Sequence, residues 1–305
     1  MKKVPSLLAL ASLSVSLVAH AVPYADSVTS YTSGTGTLAG YNNPNSALGS
    51  PTRSYTDPYG TWGVDPFASA YQGSELVSIG AGGSLTVGFS TPVLNNTANP
   101  YGLDFIIFGN SFLQAPGPNY DTANGQIGGN NSGSTEVFVS ADGVAFYRLN
   151  PSLAPVVDGF APTDGAGDFT RPLNPSLTPT SFNGLQMGGI RSLYNGSGGG
   201  TAYDLAWAQD INGNAVLLPG VSFIRVNVLN GVSEIDGFST VAVPEPSSFA
   251  LAMLAGFGFL IHRRHFGRKN AVEIGAERQL RPTINGGAAL PRSPLSLTQG
   301  CGRTP

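Results

Sequence analysis

The chain has 305 residues and a formal net charge of −3, but its charge is unevenly distributed. The stretch 22–243 has five arginines against fifteen Asp and Glu, a formal net charge of −10, and contains no His, Cys or Lys. These features exclude Ser-His-Asp and Cys-His catalysis, His- or Cys-ligated zinc and lysine chemistry from that stretch, and they disfavour nucleic acid as a partner.

The first 21 residues have the pattern of a secretory signal peptide. Met1-Lys2-Lys3 gives a positive start, residues 7–18 form an uncharged apolar run, and Ala19-His20-Ala21 ends the segment with small residues. This order predicts cleavage after Ala21 by signal peptidase, which would recognise Ala19 and Ala21. The alternatives are a core helix or a transmembrane span, but the apolar run is short for a bilayer.

Residues 22–242 are predicted to form one extracellular β domain. Short apolar or alternating runs are separated by Gly, Pro, Asn, Ser and Thr, which are typical of turns. Asp142-Gly143 between two such runs predicts a hairpin. The fold class is therefore mainly β, an antiparallel β-sandwich of jelly-roll-like type. The main predicted strands are 84–89, 103–108, 135–140, 144–149, 222–229 and 237–243.

Two stretches of this domain, 114–133 and 151–200, are rich in Pro, Gly and Asn. We expect them to form long loops outside the core. Long loops on a rigid sandwich often carry a binding function. Solvated inserts without a function are an equally good explanation.

Five segments of the domain, taken in order, resemble a family of uncharacterised secreted bacterial cell-surface β-sandwich proteins. The resemblance spans roughly residues 75–241. It implies a sandwich akin to carbohydrate-binding domains and a location outside the cell, but it implies no particular ligand. The segments are 76–89, 104–110, 136–143, 202–208 and 221–226.

One turn of the domain carries side-chain oxygens at alternate positions, as calcium favours. An EF-hand is excluded, because Ala215 and Val221 stand where that loop needs a glycine and an acid. A calcium site in a sandwich loop and a simple hairpin turn remain as alternatives. The residues of the tentative Ca²⁺ site are Asp204, Asp210, Asn212 and Asn214.

Carboxylates and aromatic residues are the other candidate functional groups. Paired acids could hydrolyse a glycoside if two carboxyls faced one cleft about 5–9.5 Å apart, but ordinary strand positions also account for them. Aromatic side chains could stack against sugars, although in a sandwich they are more often part of the core. The candidate acids are Asp104, Glu136, Glu234 and Asp236, and the candidate aromatics are Tyr55, Tyr59, Trp62, Tyr71 and Trp207.

Near the C-terminus, Val-Pro-Glu-Pro at 243–246 precedes thirteen uncharged residues, 249–261, and a basic cluster at 262–269. A helix over 247–261 would be about 22 Å long, shorter than the hydrocarbon core of a bilayer. Snorkelling basic residues and local thinning could still hold it in a membrane, with the basic cluster on the cytoplasmic side. A buried helix of a soluble domain is the alternative.

This three-part order over residues 243–269 resembles a PEP-CTERM sorting signal. The resemblance implies export by a Gram-negative bacterium, transient anchoring in the inner membrane and processing by an exosortase near Pro244, Glu245 and Pro246. It also implies display at the surface or in the extracellular matrix, linked to exopolysaccharide and biofilm. Such signals usually end soon after the arginines, whereas residues 270–305 follow here. Their composition predicts a disordered tail, and a read-through or frameshift extension is favoured over a working domain.

Two hypotheses follow for the function. The first is an exported, non-enzymatic surface or matrix protein that recognises extracellular polysaccharide, with no catalytic residue. Its partners would be signal peptidase and an exosortase-type enzyme, and Ca²⁺ is its one candidate cofactor. The alternative is a secreted, carboxylate-based glycoside hydrolase.

Overall fold

Two antiparallel sheets form the framework of the chain in a computed structural model that describes residues 22–117, 120–129 and 133–242. The signal peptide, the sorting signal and the tail predicted from the sequence lie outside these residues. The larger sheet has six strands, in the spatial order β1 (Ser27–Thr32), β5 (Ser84–Leu94), β13 (Gly220–Asn230), β9 (Ser134–Ser140), β10 (Tyr147–Leu149) and β12 (Ala208–Gln209). The smaller sheet has four, in the order β11 (Thr201–Tyr203), β6 (Phe105–Gly109), β14 (Val232–Thr240) and β4 (Val77–Gly80).

Shorter elements complete the described part of the chain. Two hairpins stand apart from the large sheets, β2 (Ser54–Asp57) with β3 (Gly60–Gly63) and β7 (Phe112–Leu113) with β8 (Ile127–Gly128). One α-helix, α1 (Met187–Tyr194), lies within the described ranges. The 3₁₀ helices are Pro44–Ala47, Pro100–Gly102, Pro179–Phe182 and Leu205–Trp207.

The two sheets share one apolar core, which is consistent with a β-sandwich. Alternate residues of each strand point into this core, because successive side chains of a strand face opposite ways. The alternate positions 85, 87 and 89 of β5 and 224, 226 and 228 of β13 all belong to it. The smaller sheet contributes Val77, Ile79, Phe105, Ile107, Ile235 and Phe238. The mainly β, antiparallel fold class is confirmed.

Strand β6 is buried on both faces. Phe105 and Ile107 belong to the main core, whereas Ile106 and Phe108 pack in a second cluster with Phe169. A strand covered on both sides needs a continuous apolar run instead of an alternating one. The strand predicted over 103–108 is confirmed as β6, which lies between β11 and β14 in the smaller sheet.

The predicted hairpin at Asp142-Gly143 is also confirmed. Strands β9 and β10 pair antiparallel, with Tyr147 opposite Val139. The Asp142 carboxylate accepts hydrogen bonds from the N–H groups of Val144 and Ala145, both at 2.9 Å. These two residues therefore belong to the turn, and the second strand begins at Tyr147 instead of residue 144.

The last strand is longer than the sequence pattern suggests. We predicted it over 237–243, whereas β14 covers Val232–Thr240. Its first half was missed because Ser233, Glu234 and Asp236 are polar, yet all three are buried. Gly231, at φ +68°, makes the tight turn from β13. An Asn-Gly pair usually joins two strands of a hairpin, but here it carries the chain from one sheet to the other.

The prediction that 114–133 and 151–200 lie outside the core is wrong. Apolar residues of both stretches converge on a separate core cluster, which contains Ala123, Phe182, Ile190 and Tyr194. Helix α1 supplies the last two, and the Tyr194 hydroxyl donates to the Pro162 carbonyl at 2.7 Å. These residues are sparse in the sequence, so no local run marks them as core.

Candidate functional sites

The first two candidate acids, Asp104 and Glu136, lie in different parts of the fold and have different partners. Asp104 is 1% exposed, and its carboxylate accepts hydrogen bonds from Leu205 N at 2.9 Å and Asn99 Nδ2 at 2.9 Å. Burial is the main cause that raises its pKa. Glu136 points away from the core to which its neighbour Val137 belongs, and it forms a 2.8 Å ion pair with Arg148.

The third candidate acid, Glu234, lies beside a carboxyl group that sequence reasoning missed. Asp158 is buried, and its Oδ1 accepts the N–H of Ser111 at 2.8 Å. Burial is the main cause that raises its pKa well above the ordinary value, and the charge of Glu234 raises it further. Glu234 accepts a hydrogen bond from Asn110 Nδ2, and burial raises its pKa as well.

No sequence signal marks Asp158. It follows a Val-Val pair in a Pro- and Gly-rich stretch and adopts a left-handed conformation, with φ +58°. Asp tolerates this conformation better than most residues. Its carboxyl fits because residue 109 is glycine, since a Cβ at that position would overlap the Asp158 side chain.

The fourth candidate acid, Asp236, is bound by a different part of the chain. Its carboxylate accepts the backbone N–H of Thr52 at 2.9 Å and the Thr52 hydroxyl at 2.7 Å. Burial outweighs these hydrogen bonds and raises the pKa of Asp236 to about 7. Asp236 thus joins the segment around Thr52 to the smaller sheet by hydrogen bonds.

The residues of the tentative calcium site divide between two local structures. The Asp210 carboxylate accepts the backbone N–H groups of Asn212 and Asn214, at 2.9 and 2.8 Å, and Asn214 Nδ2 at 3.0 Å. Asp204 instead caps the 3₁₀ helix that follows it, by accepting Ala206 N–H at 2.7 Å. In the described ranges no three His, Cys, Asp or Glu side chains come together as a metal-holding group. Calcium binding at this turn stays a prediction.

Four of the candidate aromatics come together on and beside the β2–β3 hairpin. Tyr55 and Trp62 lie directly opposite each other in its register, and so share one face. Tyr59 lies in the turn, and the ring of Tyr71 meets that of Tyr55 edge-on at 4.9 Å. Tyr59, Trp62 and Tyr71 are 89%, 49% and 44% exposed. We call Tyr55, Tyr59, Trp62 and Tyr71 the aromatic hairpin surface.

The fifth aromatic, Trp207, belongs elsewhere. It is half-buried in the 3₁₀ helix Leu205–Trp207 and packs against the main core. Its place is the one expected for an aromatic residue of a sandwich core, not for a stacking platform.

An apolar cavity of about 500 Å³ lies between the 151–200 stretch and β11. Pro155, Phe160 and Leu173 line one part of it, and Thr201 and Ala202 of β11 line another. None of the candidate acids or aromatics borders the cavity.

Comparison with known proteins bears on the end of the chain. A family model described as the PEP-CTERM protein-sorting motif matches residues 242–264. The chain carries a PEP-CTERM sorting motif. The motif supports export of the protein and membrane-anchored sorting by an exosortase-type system. A search of curated proteins found no match.

The sorting motif falls almost entirely beyond the part of the chain that the structure describes. Pro244, Glu245 and Pro246, the helix predicted over 247–261, and the signal-peptide residues Ala19 and Ala21 all lie outside the described residues. Among the residues that are described, no helix is long and apolar enough to cross a membrane.

Proposed function

We propose that the protein is displayed at the surface or in the extracellular matrix of a Gram-negative bacterium. A signal peptide would start its export, and an exosortase-type enzyme would process it near Pro244, Glu245 and Pro246. The sorting motif at 242–264 is the observation that carries this half of the proposal. The apolar run and basic cluster that follow the Val-Pro-Glu-Pro residues supply a short anchor of the expected polarity.

The displayed β domain is proposed to bind polysaccharide. The aromatic hairpin surface carries this half of the proposal, because three of its rings are exposed on or beside one small hairpin. Exposed aromatic groups that gather at one place mark a binding surface better than scattered ones do. We also propose a link to the exopolysaccharide and biofilm of the producing cell, which the sorting motif and this surface support.

The domain is proposed to act without catalysis. The stretch 22–242 has no His, Cys or Lys, so chemistry would depend on carboxylates. Asp104, Glu136 and Asp236 each hold parts of the fold together through the bonds described above. A role in stabilising the fold is enough to explain why these three carboxylates lie where they do.

The proposal is tested by mixing the exported protein with exopolysaccharide purified from the producing bacterium and measuring co-sedimentation. We expect the protein to sediment with the polymer. An unrelated exported protein of similar negative charge serves as the control for non-specific retention. Sedimentation no greater than that of the control would reject polysaccharide binding while leaving the sorting proposal intact.

A glycoside hydrolase is the second candidate, favoured by the position of Glu234 beside Asp158. Burial raises the pKa of both carboxyls, and a carboxyl that keeps its proton can serve as a general acid. Release of reducing ends from the same polymer, lost in Glu234→Gln, would establish hydrolysis. No release above background by the wild-type protein would reject it.

A further inference from the structure

We propose that the aromatic hairpin surface is the polysaccharide site and that it selects neutral over anionic polymers. This inference rests on the proposed function and narrows it to one surface and one class of ligand. The C–H face of a pyranose ring is apolar, so it loses unfavourable contact with water when it stacks on an aromatic ring. The hydroxyl groups at the ring edge then need polar partners beside the aromatic rings.

The turn that carries Tyr59 and the ring of Trp62 are held in place before any ligand arrives. Asp57 Oδ1 accepts the N–H groups of Tyr59 and Gly60, at 2.8 and 3.0 Å, and the indole Nε1–H of Trp62 at 3.1 Å. One carboxylate oxygen therefore fixes both the turn that carries Tyr59 and the orientation of the Trp62 ring. A binding surface ordered in advance loses less conformational entropy when it binds.

Tyr55 attaches the hairpin to the body of the domain. A two-stranded hairpin is marginally stable alone, and this one belongs to neither large sheet. Tyr55 is half-buried and packs against a small apolar cluster of Val64, Ala70 and Leu76. This division of roles leaves Tyr59, Trp62 and Tyr71 exposed for a ligand, with Tyr55 as their support.

The loop after the hairpin is fixed to it as well. Glu75 Oε2 accepts the N–H groups of Tyr71 and Gln72, at 3.2 and 3.0 Å. Gln72 Nε2 donates to the Thr56 carbonyl at 2.8 Å, which joins the loop to β2. The bonds that hold the hairpin and this loop use only one oxygen of each carboxylate, Oδ1 of Asp57 and Oε2 of Glu75. Among the described residues, the second oxygen of each, Asp57 Oδ2 and Glu75 Oε1, is therefore available to accept a hydrogen bond from a sugar hydroxyl.

The charge around this surface decides the class of polymer. The pKa of Tyr55 is raised, first by burial and then by Tyr71 and the nearby carboxylates Asp57, Asp65 and Glu75. Asp57 and Glu75 repel uronate or sulfate groups, whereas Asp65 also interacts with the charge of Arg191. Arg53, the basic residue adjacent to β2, points elsewhere: it donates to the Gly165 and Gly167 carbonyls and lies over the Phe169 ring at 4.2 Å. A neutral polymer is the ligand that this charge pattern admits.

The test uses the exported protein in affinity gels that contain soluble polysaccharides. The neutral probes are xyloglucan, laminarin and dextran, and the anionic probes are alginate and polygalacturonate. We expect retardation by at least one neutral probe, little affected by salt, and none by the anionic probes at low salt. Trp62→Ala should weaken binding to the neutral probe about tenfold or more, because truncation of a central aromatic contact costs most of the binding.

Two matched variants complete the test. Trp62→Phe keeps an aromatic ring while losing the bond to Asp57, so it should retain most of the binding. Tyr101→Ala removes an aromatic side chain that is 56% exposed but lies in the 3₁₀ helix Pro100–Gly102, outside the aromatic hairpin surface, and it should bind as the wild type does. Thermal unfolding of each variant separates a loss of binding from a loss of fold.

The outcomes separate this inference from the proposed function. If the wild-type protein binds a neutral polymer and Trp62→Ala binds equally well, the site is wrong while the function stands. If anionic probes bind as tightly as neutral ones at low salt, the selectivity is wrong. If no probe binds and Trp62→Ala instead converts a dimer into a monomer, the surface is a self-association face and the inference is overturned.

Discussion

Asp236 is a buried carboxyl whose ionisation costs stability. Its pKa is about 7 in the folded protein against an ordinary value of 3.8, so the folded state holds the proton more tightly. The stabilising effect of the neutral form is complete below the unfolded pKa and is lost as the pH rises through 7. Between the unfolded and the folded pKa, the contribution of Asp236 to the free energy of unfolding falls by up to about 1.4 kcal/mol per pH unit.

We therefore expect Asp236→Asn to unfold with a flatter pH dependence than the wild type between about pH 4 and pH 7, the range bounded by the two pKa values. Urea unfolding at four pH values measures this difference. The other buried acids, Asp104, Asp158 and Glu234, titrate in both proteins and cancel in the comparison. Equal slopes in the two proteins would show that Asp236 ionises as freely as in the unfolded chain.

Thr52 gives an independent check at the same site. Its hydroxyl and its N–H both favour the ionised form of Asp236. Thr52→Val removes the hydroxyl, so the loss of stability should move to higher pH. Thr56→Val, which loses a hydroxyl bonded to Thr61 on the exposed hairpin, should keep the pH dependence of the wild type.

Within the 151–200 stretch, one bidentate ion pair joins helix α1 to the segment around Asp164. Arg191 Nε and Nη2 donate to the two carboxylate oxygens of Asp164 at 2.8 and 2.9 Å, and the Asp164 side chain is 3% exposed. Arg191→Ala would leave this carboxylate buried without its cation. We expect a loss of about 1–3 kcal/mol in the free energy of unfolding, measured with denaturant.

Two variants make that result specific. Ser192→Ala changes the next exposed residue of the same helix and should cost much less. Arg191→Lys keeps the charge but not the two parallel hydrogen bonds, so it should recover only part of the loss. Equal stability of Arg191→Ala and Ser192→Ala would show that the ion pair does not hold the helix.

The turn at Asp210 distinguishes the calcium and hairpin hypotheses. Because its carboxylate already accepts three N–H groups of the turn, Asp210→Ala should lower Tm by a few degrees even with a chelator present. Calcium ligation instead predicts that a chelator lowers the Tm of the wild-type protein and leaves that of Asp210→Ala unchanged. Differential scanning fluorimetry with and without calcium measures both effects.

Elements with a strong local pattern could be predicted from the sequence. The alternation around Ile224 indicates one buried face, and the continuous apolar run at 103–108 indicates a strand buried on both faces. The Asp142-Gly143 pair indicates the position of a turn. The polar residues of β14 and the scattered apolar residues of 151–200 carry no such pattern. Their burial depends on partners far away in the chain, such as Thr52 for Asp236.

The candidate sites follow the same rule. The aromatic residues near Tyr55 could be singled out because they are close in sequence and the hairpin that carries them is local. Their exposure could not be predicted, since aromatic side chains are usually core. The pair of Asp158 and Glu234 joins residues 76 positions apart, so only the fold brings them together.

At the scale of the whole molecule, the distribution of charge agrees with the direction of sorting. The domain over 22–243 has a formal net charge of −10, whereas basic residues cluster at the N-terminus and after residue 261. Basic residues that flank a short apolar segment are enriched on the cytoplasmic side of a membrane. The export that we propose would place the β domain on the other side. The charge thus distinguishes the domain that we propose is displayed from the segments that we propose direct its export.

This division predicts the form in which the protein leaves the cell. Intact-mass spectrometry of protein from the growth medium should show a chain that starts at Val22 and ends near Pro244, Glu245 and Pro246. The membrane fraction should also contain the uncut form with residues 247–269. Peptides from 270–305 should be absent from the medium, because that segment follows the cut.

Glu245→Ala tests whether the motif directs this processing. We expect the variant to accumulate uncut in the membrane fraction, because its anchor is no longer removed. Asp121→Ala, which changes an exposed acid within the β domain, should be processed as the wild type is. Released protein that still contains residues 247–269, or normal processing of Glu245→Ala, would contradict sorting by this motif. Because the helix predicted over 247–261 would be short for a bilayer, an uncut chain should also be extracted by mild detergent more readily than a full transmembrane anchor.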